Sequence, residues 1–243
     1  MQNKQQYALP QENMLNLEIV GHGSVRLICS NDALHELIVG FLFNEGLISD
    51  LQQLKRLEIS ETSAVAWIDV DKVSLKTIRT SGLGSPILEG GVWRNSVLND
   101  NYQEICWGIK NIFSQDYIYS CIPLMQKLAI EYGKTGGIHC SALFDNEKLL
   151  AAYEDIGRHN TLDKIAGKCL MNHISSEDTL LITSGRISSE MVRKAFRMGV
   201  SVIASYSTPT QSAYDMAIDA GMTLIGYLKK DSMRLFCGEE RIV

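Results

Sequence analysis

Four stretches of this chain combine residue types that could do chemistry. Glu154-Asp155-Ile156-Gly157-Arg158-His159-Asn160 joins a short apolar run to a helical one, as do Ser184-Gly185-Arg186-Ile187-Ser188 and Ser207-Thr208-Pro209-Thr210. Helix starts of this kind offer free N–H groups and a positive dipole end. Arg158 and Arg186 add guanidinium forks suited to phosphate. These types point to an anionic, nucleotide-like ligand. Asn160, Ser184 and Thr210 would cap helices or bond it, and His139 and His159 would line the pocket. The same residues serve equally as ordinary caps and turns. None of the stretches is a Walker A loop or a GxGxxG fingerprint.

The fourth stretch is Thr135-Gly136-Gly137-Ile138-His139-Cys140. Its glycines would let a ligand approach the backbone, and a thiolate at Cys140 could act as a nucleophile. Neighbours in a strand face opposite ways, so His139 and Cys140 are not expected to pair. Asp163 could orient His159 from one turn away, or form an exposed pair with Lys164. Glu190 and Arg193 read as a surface pair at i, i+3. Lys229-Lys230-Asp231 reads as a hairpin turn that could bring a cation to the same crevice.

The elements around these stretches alternate. Leu17–Val20 and Val25–Cys29 read as strands around Gly21-His22-Gly23-Ser24, a hairpin signal. Ser30-Asn31-Asp32 reads as a helix cap ahead of Leu34, Leu37, Ile38, Phe41 and Leu42, one apolar helical face that Gly46 would end. Strands are expected at 54–59, 64–70 and 73–78. A helix is expected at 122–132, then strands at 138–144 and 149–153. Helices at 160–170, 188–198 and 211–220 alternate with strands at 179–183, 200–205 and 223–227. Such alternation with short connections argues for an α/β layer architecture, whose ligands bind beyond the carboxyl ends of the strands. The composition breaks at Ser81-Gly82-Leu83-Gly84-Ser85-Pro86. The expected division is a small α+β domain over 1–82, a Gly-rich loop and connection over 83–120, and a main α/β domain over 121–243.

Composition narrows the function classes. The 243 residues are 45% apolar and 21% charged, with a net charge of −5. That is globular, and it argues against a bulk electrostatic grip on nucleic acid or anionic membrane. Met1–Asn13 has no apolar core of a secretory signal, and no run reaches bilayer-spanning length, so a cytoplasmic protein is expected. The six cysteines never fall as C-x-x-C. Neither a disulfide framework nor a structural zinc site is expected.

Taken together, the motifs resemble a known family. Gly40-Phe41-Leu42-Phe43-Asn44-Glu45-Gly46 is similar to GFL-x-x-EG, and Thr135–His139 to TGG-x-H. Asp155–Asn160 with Asp163-Lys164 is similar to D-[VI]-GRHNA-x-DK, and Ser184–Met191 to SGR-x-S-x-EM. Thr208-Pro209-Thr210 and Gly221–Tyr227 complete the set. These are signatures of the FdhD/NarQ family of formate dehydrogenase accessory proteins. The resemblance implies a sulfur carrier that takes persulfide sulfur from a cysteine desulfurase. It would pass that sulfur to the molybdenum cofactor, bis(molybdopterin guanine dinucleotide), before insertion into formate dehydrogenase. It also implies a cytidine-deaminase-like main domain with a small domain appended, a homodimer, and GDP as a ligand analogue. The deaminase zinc motifs H-x-E and P-C-x-x-C are absent. By resemblance the cofactor stretch falls on Tyr227-Leu228-Lys229-Lys230-Asp231-Ser232, joined by Gly136, Gly137, His139, Arg158, His159, Asn160, Ser184, Gly185, Arg186, Thr208 and Thr210. The family carries its persulfide on a Cys in a Gly-rich loop. The corresponding residues here, Gly82, Leu83 and Gly84 among them, include no cysteine. Three readings stand: Cys140 substitutes as carrier, the chain binds the cofactor without transferring sulfur, or a partner supplies the thiol.

Overall fold

The computed structural model describes residues 9–69 and 111–243. The expected strand at 73–78 and the loop at 80–85 lie outside them. Two sheets form, each built by its own apolar pattern.

The smaller sheet holds β1 (Asn13–Ile19), β2 (Gly23–Cys29), β3 (Leu54–Ile59) and β4 (Ser63–Ile68), in the order β2-β1-β4-β3. Leu15, Leu17 and Ile19 alternate with exposed Asn16 and Glu18, and Val25, Leu27 and Cys29 with exposed Arg26 and half-buried Ile28. The period of two gives the sheet one apolar face. Helix α1 (Leu34–Asn44) covers it with Leu37, Ile38, Phe41 and Leu42. Gly46, at φ 75°, ends the helix, and the N–H of Leu47 reaches back to Leu42 O at 2.8 Å. The expected cap at Ser30–Asp32 does not form. The helix follows Ala33 without a side-chain cap, because Ser30 and Asp32 bond the other layer instead.

The larger layer begins with α2 (Gln115–Leu128) and α3 (Ile130–Thr135). Then come β5 (His139–Phe144), β6 (Leu149–Asp155), α4 (Arg158–Met171), β7 (Leu180–Thr183), α5 (Ser189–Arg197), β8 (Val202–Ser205), α6 (Gln211–Asp219), β9 (Thr223–Lys229) and β10 (Ser232–Cys237). The sheet order is β10-β9-β8-β7-β5-β6, with β7, β8 and β9 parallel and the others antiparallel to their neighbours. The central strands are buried along their length, as expected of strands covered on both faces. On one face Leu143, Leu181, Ile203 and Leu224 meet α4, α5 and α6. On the other Cys140, Ala142, Ile182 and Ala204 meet α2. The helix expected at 122–132 starts earlier, at Gln115, where Ser114 Oγ accepts from the N–H of Tyr117. Residues expected in the connecting region thus belong to this layer, and Phe113 bridges to Ile242. Strand β10 has no counterpart in the sequence expectation. Among the described residues no helix is long and apolar enough to cross a membrane.

The two layers meet through α1 and α4, backbone against backbone. A Cβ on Gly40 would lie 2.6 Å from the carbonyl carbon of Asp163, and one on Gly167 would lie 2.7 Å from that of Glu36. Only hydrogen at both positions allows so close a crossing. Buried charges flank the contact. Lys194 Nζ lies 2.7 Å from Asp163 and 3.0 Å from Glu45, while Arg193 reaches Glu45 at 3.1 Å. Asn44 Nδ2 donates to Asp163 at 2.8 Å. Lys164, fully buried, lies 2.8 Å from both Asp155 and Asp32. Asp163 and Lys164 are therefore interior ions, not an exposed pair, and Arg193 ties α5 to the end of α1.

Candidate functional site

The strand registers bring the chemistry-bearing stretches to one end of the larger sheet. His139 at the start of β5 is opposite Asp155 at the end of β6. Ser141 is opposite Thr183, and Thr183 is opposite Ser205. Near the end of β9, the N–H of Tyr227 donates to Ser207 O at 2.7 Å. The start of β5 and the ends of β6, β7, β8 and β9 thus share an edge, where the three polar loops emerge.

At its centre are His139, Arg158, Ser184 and Gly185. Ser184 Oγ accepts from the N–H of Cys140 at 3.0 Å and lies 3.5 Å from His139 Nδ1. A Cβ on Gly185 would lie 3.1 Å from that Nδ1 and 3.2 Å from Arg158 Cβ and Cδ, so glycine lets both side chains lean over the loop. Ser205 Oγ donates to Gly185 O at 2.7 Å and fixes the loop from below. Among the described residues, Arg158 Nε is buried without a hydrogen-bond partner. Burial and then the charge of Arg186 hold the Arg158 guanidinium below its ordinary value, so a second cation acts on it. Burial and then Arg158 likewise lower His139. Arg186 is exposed.

His159 occupies the first turn of α4. Burial, followed by the charges of Lys194 and Arg158, pushes it down to about 3, so the ring is neutral at ordinary pH. Its Nε2 lies 3.1 Å from Ser188 Oγ and 3.4 Å from Glu190 Oε2. Glu190 therefore belongs to the site's edge, which sequence spacing alone did not show. Neither α4 nor α5 starts with a side-chain cap. Helix α6 does, through Thr210 Oγ1 accepting from the N–H of Ala213 at 3.2 Å. Thr208 O and the Thr210 N–H pair with Ile187, stitching the second polar loop to the third.

Other expected site residues sit differently. Asn160 is 3% exposed and turns inward, donating to Ile28 O at 2.8 Å and Asp155 Oδ1 at 2.7 Å. Gly136 takes φ 65°, and Gly137 packs under Pro10. Tyr227 is exposed at φ 52°, with Arg234 5.1 Å over its ring and Phe236 beside it. Lys229, Lys230, Asp231 and Ser232 form the exposed end of the β9–β10 hairpin, whereas Leu228 is 2% exposed and faces the core. Cys140 is 1% exposed among the residues under α2. Burial and then Glu154 push its thiol up to about 12. That suits a core residue, not a nucleophile. Cys29, Cys121 and Cys169 are buried too. Gly82, Leu83 and Gly84 lie outside the described residues.

Fold and site together define a two-sheet α/β protein with a cationic, glycine-lined end to its main sheet. Residues 10–243 match the FdhD/NarQ family. The chain is 36% identical to the "Sulfur carrier protein FdhD" of Bacillus pumilus (strain SAFR-032), covering 96% of this chain and 89% of the relative. It is 35% identical to the protein of that name from Bacillus subtilis (strain 168), covering 93% and 87%. A solved structure assigned as a formate dehydrogenase accessory protein from Desulfotalea psychrophila superposes with a TM-score of 0.78 at 21% identity, covering 98% of this chain and 91% of that one. The chain belongs to the FdhD/NarQ family.

Proposed function

We propose that this protein is a formate dehydrogenase accessory protein that holds bis(molybdopterin guanine dinucleotide) at the shared strand edge. The cofactor is cargo, taken up and passed on to formate dehydrogenase. One observation carries the reading: Arg158 keeps a buried Nε with no hydrogen-bond partner among the described residues, close over Gly185 and under the charge of Arg186. An anion relieves the like-charge repulsion that Arg186 exerts on Arg158, and a pyrophosphate suits the bidentate hydrogen bonding of guanidinium groups. The uncapped starts of α4 and α5 add backbone donors. The exposed Lys229-Lys230 turn supplies further positive charge at the same end.

Sulfur transfer is the second part of the reading. The curated relatives are named sulfur carriers, which supports a role in delivering sulfur from a cysteine desulfurase to the bound cofactor. The loop at 80–85 has no cysteine, and the buried Cys140 is a poor substitute. These two facts favour a protein that presents the cofactor while a partner's thiol brings the sulfur. A homodimer in the cytoplasm completes the proposal.

Calorimetry with GDP tests the site. Binding is expected to the native chain and to be lost in an Arg158→Ala, Arg186→Ala double variant; equal affinity in the two removes these arginines from the site. Persulfide mass spectrometry after incubation with a desulfurase and cysteine tests the sulfur step, and sulfane sulfur on any of the six cysteines overturns delivery by a partner. Restoration of formate dehydrogenase activity in a strain lacking its own family member tests the whole.

A further inference from the structure

Arg158 comes three positions after Asp155, a buried carboxylate that is shared between the two layers. Asp155 is fully buried. Its Oδ1 accepts from the N–H of Gly157 at 2.9 Å and from Asn160 Nδ2 at 2.7 Å. Its Oδ2 accepts from the N–H of Ser30 at 3.1 Å and lies 2.8 Å from Lys164 Nζ. Two of these donors belong to the turn that launches Arg158, and one belongs to the small layer. The small layer answers from its own side. Ser30 Oγ accepts from the N–H of Ile156 at 3.2 Å, and Ile28 O accepts from Asn160 Nδ2 at 2.8 Å. Asp32 accepts from Lys164 Nζ at 2.8 Å, and Glu154 O accepts from the same ammonium at 3.0 Å. Residues 28–32 thus hold the whole of the 154–160 turn.

Resting on the reading of the strand edge as the anion site, we propose that Asp155 is the positioning residue for Arg158, and that it acts by clasping residues 28–32 of the small layer. The small layer is then part of the binding apparatus without touching the ligand. A carboxylate is required because all four groups facing it are donors. An amide at this position would set its own N–H groups against two of them. A binding group loses affinity when the shell that orients it is loosened.

The test separates position from stability. Asp155→Asn, Ser30→Ala and Asp32→Asn are compared with native chain by GDP calorimetry and by melting temperature. Arg197→Gln serves as the reference, because Arg197 joins the same two layers elsewhere, through Phe43 O and Ile48 O. The expected result is a loss of GDP affinity of about tenfold in Asp155→Asn, with smaller losses in the other two. Arg197→Gln should lower the melting temperature and leave GDP affinity within about twofold. Should Asp155→Asn fail to fold, Ser30→Ala and Asp32→Asn carry the comparison, since Asp32 is largely exposed. Unchanged GDP affinity in folded variants that melt earlier overturns the positioning role while leaving the anion site standing. Absence of GDP binding by the native chain removes the anion site itself, and the positioning role with it.

Discussion

Replacing Gly40 with alanine should drive α1 and α4 apart. The added methyl would lie 2.6 Å from the carbonyl carbon of Asp163 and 2.7 Å from the backbone nitrogen of Gly167. The Asp163 carbonyl oxygen lies nearer still, and comfortable separation between such atoms is about 3.5 Å, so the helices must part by about 1.5–2 Å along their closest line. Backbone faces backbone here, and no flexible side chain can swing aside. Alanine favours a helix over glycine by about 1 kcal/mol, which works against the loss. Overpacking of a tight core costs about 1–3 kcal/mol, and a clash with two rigid backbones belongs at the upper end. A net loss of about 2 kcal/mol lowers the melting temperature by roughly 4–8 °C for a chain of this size. Differential scanning calorimetry reads this directly. Gly133→Ala is the matched reference, since nothing lies within 4 Å of a Cβ there, and it should melt at or slightly above the native temperature. If Gly40→Ala melts with the native chain, the helices do not meet through their backbones and the account of the joint fails.

Further outcomes follow from the buried groups. Lys194→Met leaves Asp163 and Glu45 without their shared cation and should cost about 3–5 kcal/mol in urea unfolding; a loss under about 1 kcal/mol would show those carboxyls to be protonated or solvated. Burial alone would raise Glu45, but Lys194 and Arg193 outweigh it and hold the carboxyl below its ordinary 4.5. Its contribution is complete above that value and fades as pH falls through the lower folded one, so Glu45→Gln should flatten the acid limb of the stability curve. His159 acts in the same direction for a different reason. The unfolded ring takes a proton near 6.5 and the folded one only near about 3, so stability falls as pH drops between them, and a native His159 NMR titration near neutrality would contradict its burial. Alkylation followed by mass spectrometry should label Cys140 only after denaturation, and rapid labelling of the folded chain would restore it as a candidate carrier.

Most of the elements were legible because their signals are local. The alternation in β1 and β2, the apolar face of α1 and the Gly46 stop each lie within one element. The polar loops were legible too, since a register of alternating strands and helices puts every such loop at one edge. What sequence spacing could not show was partnership at a distance. Asp163 reads locally as a neighbour of Lys164, yet its partners are Asn44, 119 positions away, and Lys194. Glu190 and Arg193 satisfy the spacing of a helix pair, but one turns to His159 and the other to Glu45. Asn160 carries the right chemistry for a ligand and spends it on the seam between layers. Strand β10 alternates only over Ser232–Leu235 and pairs with β9 through shifted registers, so its sequence gives a short period to read.

Tyr227 holds a left-handed backbone angle of 52° with its ring under Arg234 and beside Phe236 at the surface. That conformation costs a bulky residue about 1–2 kcal/mol, and glycine would adopt it freely. A chain shaped by folding alone would drift toward glycine there. The phenol ring there comes with backbone strain, so a library selected purely for thermal resistance should lose this aromatic early.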